Sequence, residues 1–398
     1  MENSGENTDL APDDICIYKY DEIVEHIVCI PASNEVSLLP VLESLNQMQA
    51  VKNLGVCIVI NASENAEELV HETNRKAFLE LNSSLFKINF KYPTQVLLYN
   101  HLPNKKAGVG LARKLAMDSA CVWLKKPGKN SILLCLDADC KVDKNWANSI
   151  LQYFNLYIQT NAVSVYFEHE KSDDETLNNG IEMYELHLRY LKNALKWAGY
   201  PWYFHTVGSS MALRAESYVK SGGMNTRQAG EDYYFLHKLM PLGFGEINTT
   251  VVRPATRYSD RVPFGTGRSM LEYKENQEIK TYHFGIFREL KAFFSGVFDA
   301  TFLWKENTSE TLTQILIQEG IEKAIDDAVS NSANEEMAVS RFKKWFSGFR
   351  IIRIMHALRS AGYFDVKVET PAEELLSELK IPTEISLLGT FRKLDRGA

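Results

Sequence analysis

Residues 131–140 read SILLCLDADC, and the fold class turns on how this stretch is read. Apolar residues run unbroken from Ile132 to Leu136, too short for a helix and suited to a strand buried on both faces. Two acids follow, Asp137 and Asp139, separated by one residue. In an extended chain both carboxylates would leave the same side at the strand's carboxyl end, the edge where open α/β sheets bind ligands. Carboxylates so close repel unless a cation lies between them, and Mg²⁺ is commonly held by one or two carboxylates plus substrate phosphates. The stretch therefore points to a divalent metal, Mg²⁺ or Mn²⁺, carrying a diphosphate. A solvated turn is the plain alternative, and the rest of the chain has to decide.

Upstream, three segments repeat one pattern. Residues 26–30, HIVCI, predict a strand that Pro31 ends, followed by the polar loop residues Ala32, Ser33, Asn34 and Glu35 and by apolar residues at helical spacing over 38–48. A second strand over 56–60 runs into Asn61-Ala62-Ser63-Glu64 and a helix over 66–81. A third, over 95–99, passes through a basic loop, PNKKAG, into a helix that ends near Lys125. Strands and helices alternating with short connections predict a parallel sheet with right-handed crossovers. PASNEVS lacks the Gly-x-Gly-x-x-Gly of dinucleotide-binding folds, and no strand is followed by Gly-Lys-Ser/Thr, so there is no P-loop.

Downstream, a helix over 145–160, a strand over 162–168 and, after the polar break KSDDETLNNG, a long helix over 181–197 are expected. The aromatic run YPWYFH suits core packing or the lining of an acceptor site, and TVGSSMAL is a Gly/Ser turn entering a short strand. Glu231 and Asp232 open a helix over 233–240, where carboxylates are favoured by the unpaired amides and the dipole even without a further role. Residues 246–252 predict an edge strand. The next loop carries Arg257, Arg261 and Arg268 among glycines and could close over phosphates. From about residue 281 the chain reads as aromatic-rich helices. Arg341, Lys343, Lys344, Arg350, Arg353 and Arg359, interleaved with Trp, Phe and Ile, suit either an anionic membrane surface or a packed helix whose Arg stems cover apolar surface.

The 398 residues suffice for two domains or one large α/β domain with an appendage, and 45% hydrophobic and 24% charged residues are ordinary for a globular chain with a sizeable core. A net charge of −7 argues against general nucleic-acid binding. The six cysteines are scattered without zinc spacing, which suggests buried thiols in a reducing cytoplasm. The polar, acidic start is unlike a signal peptide, and no apolar run of about 18 residues predicts a membrane span.

The ordered set IPASNE, GLAR, LDADC and GGMNTRQAGEDYYF resembles the family 2 glycosyltransferases, inverting enzymes of GT-A fold that use nucleotide-diphosphate sugars, over roughly residues 25–260. The resemblance implies a GT-A domain over 25–280, after a flexible lead-in over 1–24 and before a helical region over 281–398. It implies nucleotide contacts at Pro31, Ala32, Asn34 and Glu35, at Gly110 and Arg113, and more loosely at Lys105. Where the family usually carries an acid for uracil or ribose, this chain offers Asn61, Ser63 and Glu64 and no Asp. By the same resemblance Asp139 is a metal ligand, Asp137 contacts ribose or metal, Asp232 is the catalytic base, and Glu231 orients or tunes it. The Gln-x-x-Arg-Trp signature of processive members is missing, which implies a single, hexosyltransferase-like transfer to an acceptor hydroxyl. A silent sugar-nucleotide-binding protein on the same scaffold and a nucleotidyltransferase are the alternatives. The latter lacks its Gly-rich basic loop after the first strand.

Overall fold

The computed structural model of the chain describes residues 10–19, 22–125, 127–226, 230–259, 265–298, 302, 304–384 and 386–397. They form an α/β protein with a large, mostly parallel central sheet flanked by helices and with further helices toward the C-terminus. Two compact units are present: Met1–Lys171 with Thr206–Ala255, and Ser172–His205 with Thr256–Ala398.

In chain order the elements begin with β1 (Asp14–Tyr18), β2 (His26–Ala32), α1 (Leu39–Asn46), β3 (Leu54–Ser63), α2 (Glu68–Lys87), β4 (Thr94–Leu102) and α3 (Val109–Trp123). Then come β5 (Ile132–Cys135), β6 (Cys140–Val142), α4 (Trp146–Leu156), β7 (Ala162–Phe167) and α5 (Glu175–Ala198), of which α5 belongs to the second unit. The first unit closes with β8 (Met211–Arg214), α6 (Ala215–Lys220), α7 (Glu231–Leu239) and β9 (Phe244–Pro254).

Its nine-stranded sheet has the order β1-β4-β3-β2-β5-β8-β7-β9-β6. Strands β4, β3, β2, β5, β7 and β9 share one direction, and β1, β8 and β6 run against it. The central strands β2, β3 and β5 are buried along almost their whole length, which is why they read as continuous apolar runs rather than alternating ones.

Four expectations are corrected here. The lead-in over 1–24 contains β1, which pairs antiparallel with β4 and buries Cys16 and Tyr18; residues 1–9 lie outside the described residues. Pro31 does not end its strand. The Cys29 carbonyl accepts the Leu136 amide on the β5 flank, so Pro31, two residues on, turns its missing N–H to that same flank, where β5 has already ended. The stretch over 131–140 is a four-residue strand followed by a turn closed by the Cys140 amide on the Asp137 carbonyl, because the chain reverses there to form β6. Finally, β9 is an edge strand only up to residue 251, because the short return strand β6 covers its outer side from Val252 to Pro254.

The second unit is organised on α5, which starts earlier than its apolar spacing suggests because Asp174 caps it, accepting the Leu177 amide, and ends at Gly199 in the left-handed region (φ 88°). It is joined by α8 (Thr266–Asn276), β10 (Lys280–Thr281), α9 (Phe284–Val297), α10 (Glu310–Gln318), α11 (Ile321–Ser330), α12 (Glu335–Trp345), α13 (Gly348–Ser360), β11 (Val366–Lys367), α14 (Glu369–Leu379) and α15 (Leu387–Arg396). Leu186 and Tyr190 of α5 pack in one core with Phe284, Phe287, Phe293 and Phe346. The basic segment forms two helices, and its arginines are engaged within the unit: Arg341 with Asp327, Arg350 and Arg353 with Glu319, Arg359 with Asp365. Arg350 also lies over the Trp345 ring at 4.1 Å. Among the described residues no helix is long and apolar enough to cross a membrane.

Candidate active site

Four stretches of the first unit meet around one side chain, Arg113, which projects from the second turn of α3 and is 2% exposed. One terminal nitrogen of its guanidinium donates to Asp137 Oδ1 at 2.7 Å, in the turn after β5, and the other donates to the Glu231 carboxylate. Glu231 is the first residue of α7, entered through Gly230 in the left-handed region, and is itself buried. The neighbouring Asp232 accepts the Tyr233 amide on Oδ1 (2.7 Å) and the Gly208 amide on Oδ2 (2.9 Å). Gly208 opens the turn before β8, and Ser209 beside it faces the thiol of Cys140.

The electrostatics follow from one cation serving three carboxylates. Burial disfavours the charge on Arg113, but Asp137, Glu231 and Asp232 together hold its proton well above the ordinary range. Burial pushes Glu231 up to about 7 against the pull of Arg113, with the Asp232 charge adding to the rise. Asp232 is also raised by burial, and here Arg113 and the two amides pull the other way. Glu231 and Asp232, adjacent and sharing Arg113, thus titrate as a pair.

Asp139 lies two residues beyond Asp137 in the same turn and is partly exposed. Its Oδ1 is 3.7 Å from the Cys140 sulfur, and its carbonyl accepts the Ala255 amide. Burial, followed by the charges of Asp139 and Asp137, pushes the Cys140 thiol up. The two acids leave a turn rather than one side of an extended strand. Among the described residues no group of three potential ligands forms a metal cage. Asp139, with the part of Asp137 that Arg113 leaves open, fits a hard cation completed by substrate phosphates.

The other sequence candidates lie at the carboxyl ends of β2, β3 and β4. Pro31 and Ala32 are the last residues of β2, and Asn34 follows with a left-handed backbone (φ 52°). Its amide donates to Asn74 Oδ1 at 2.8 Å. Asn61 is buried, and its side-chain amide is committed to the Ala32 carbonyl, so it ties β3 to β2. Asn74, fully buried in α2, donates to the Asn61 carbonyl and to Asn100 Oδ1, linking the ends of three strands. Ser63 and Glu64 both engage Asn104, tying the loops after β3 and β4 together. Glu35 and Lys105 are not buried, and Gly110 is buried in the first turn of α3. Of the three loop arginines, Arg257 and Arg268 belong to the second unit, where Arg268 pairs with Glu272, and Arg261 lies outside the described residues.

Sequence reasoning missed Asn74, Asn100, Gly208 and Ser209. Asn74 left a local trace, an asparagine in mid-helix, where its propensity is poor, and Gly208 and Ser209 lie in the Gly/Ser turn of TVGSSMAL.

No family model matches the sequence, and no curated protein does. Solved structures do match. S. aureus TarS 1-349 in complex with UDP-GlcNAc is 12% identical, with 86% of this chain and 93% of that chain covered at a TM-score of 0.42. The mannosyltransferase PcManGT from Pyrobaculum calidifontis, in complex with GDP-Man and Mn²⁺, is 14% identical, with 98% and 88% covered at a TM-score of 0.35.

Proposed function

We propose that the chain is an inverting, non-processive glycosyltransferase that moves a sugar from a nucleotide-diphosphate sugar to an acceptor hydroxyl. The observation that carries this reading is the convergence on Arg113 of Asp137 and Glu231, from acid motifs far apart in sequence, with Asp232 beside them.

In the proposed reaction the acceptor oxygen attacks the anomeric carbon as the bond from that carbon to the diphosphate breaks. The electron pair leaves on the diphosphate, and the hydroxyl proton passes to Asp232. A single displacement inverts the configuration. Asp232 suits the base role because two amides, one on each oxygen, fix its carboxylate before the acceptor arrives. Glu231, buried on Arg113, supports that arrangement. Asp139 and Asp137 would hold Mg²⁺ or Mn²⁺, which when bound supplies positive charge toward the departing diphosphate. The loop from Pro31 to Glu35 would take the nucleotide, with its backbone held by Asn74.

The test is incubation with labelled sugar nucleotides and Mn²⁺. Slow release of free sugar and nucleoside diphosphate is expected, together with its loss in Asp232→Asn. Release of pyrophosphate, or binding of a sugar nucleotide without turnover, would overturn the proposal.

A further inference from the structure

We infer that Arg113 is a positioning residue rather than a diphosphate contact, and that Gly208 is glycine because its backbone is the surface against which the guanidinium rests. The inference deepens the proposed transferase reading and rests on it for its functional part.

The Arg113 fork spans two acids from distant stretches, and at 2% exposure it has little surface to offer a ligand. A Cβ built on Gly208 would lie 2.3 Å from Nη1, 2.6 Å from Cζ and 2.8 Å from Nη2 of Arg113. These separations are far below van der Waals contact, so any side chain at 208 displaces the guanidinium. The same glycine donates its amide to Asp232. One planar group therefore sets three things at once: the turn carrying Asp137, the first residue of α7, and the backbone that orients the base. A lysine could replace the charge but not the two-pronged geometry.

Arg113→Lys and Gly208→Ala, singly and together in the full chain, test this. The readouts are Kd for UDP and GDP with Mn²⁺, kcat for sugar-nucleotide turnover, and the thermal midpoint. Each single variant should lower kcat by about 100-fold, the scale of a misplaced catalytic group, and leave Kd within about threefold. The double variant should be little worse than the poorer single one, since both break one contact. A loss in Kd of about tenfold or more with kcat at saturating donor preserved would make Arg113 a ligand contact and overturn the proposal. So would a fall in thermal midpoint with kcat per folded molecule unchanged. Gly208→Ala keeps every charge and remains informative if Arg113→Lys does not fold. If wild-type protein neither binds nor turns over any sugar nucleotide, the transferase reading fails by itself. The thermal midpoints still decide the contact in that case: non-additive losses support it, and additive losses overturn it.

Discussion

The first unit holds one guanidinium among three carboxylates, whereas in the second unit Arg189, Lys192 and Arg392 surround Glu185 and Asp395, with His205 against the latter. Arg189 is fully buried and donates to both acids, Arg392 grips Glu185 through two nitrogens, and Lys192 and Asn193 share Asp395 Oδ1 at 3.0 and 2.8 Å. Burial raises Asp395, but His205, Lys192 and Arg189 outweigh it and hold the carboxyl well below its ordinary range. Glu231 is driven the opposite way. In the second unit the excess of cations holds Asp395 in the charged form and fastens α15 to α5. Around Glu231, burial and the excess of acids leave one proton to be exchanged near neutral pH, the condition that proton-transfer chemistry needs. On the proposed reading, it is the ratio of the signs, and not burial of charge alone, that separates the site from the staple.

The sharpest way to break this contrast is at the acid-rich cluster. Asp232→Asn keeps shape and most hydrogen bonds but cannot take a proton. Turnover should fall by about 10²–10⁴-fold, the usual worth of a general base, with sugar-nucleotide Kd within a fewfold. Unchanged turnover would reduce Asp232 to a helix-start acid like many others.

At the cation-rich cluster the expected loss is in folding. Asp395→Ala strands Arg189 and Lys192 in the interior and should cost about 3–5 kcal/mol, read as a lowered urea midpoint, with kcat of the folded molecules unaltered. A fall in kcat at full folding would show that the two clusters do not divide the labour in this way.

Much of the first unit could be read from residues alone, because strands buried on both faces write themselves as apolar runs, the acids of LDADC follow one of them, and those of GEDYYF open a helix. What could not be read depends on partners remote along the chain. Arg113 and Glu231 are 118 residues apart, and nothing local announces their pairing or the demand it places on Gly208. Asn61 looked like a free base contact only because its bond to the Ala32 carbonyl is set by strand register. The helix α5 sits between β7 and β8 in sequence but shares its core with the C-terminal helices, a grouping that periodicity cannot reveal. Asn74→Ala tests one such hidden link. Losing buried hydrogen bonds to Asn34, Asn61 and Asn100 should cost about 2 kcal/mol and raise donor KM more than it lowers kcat. An unchanged KM would detach the asparagine network from the donor loop.

The mildest test is the response to pH, where the two clusters should act in opposite directions. Glu231, at about 7 in the folded protein against an ordinary 4.5, keeps a proton that the unfolded chain has released. Between those values the folded state binds more protons, so this group's contribution to stability declines as pH rises, by at most about 1.4 kcal/mol per pH unit. Asp395, lowered from 3.8, contributes stability that is fully present above that value and disappears as acid is added below it. In urea midpoints measured across pH, Glu231→Gln should flatten the decline between pH 4.5 and 7 while leaving the acid-side loss in place. If the slope survives the substitution, Glu231 is ionised in the folded state, and the acid-rich cluster is no more poised for proton exchange than the cation-rich one.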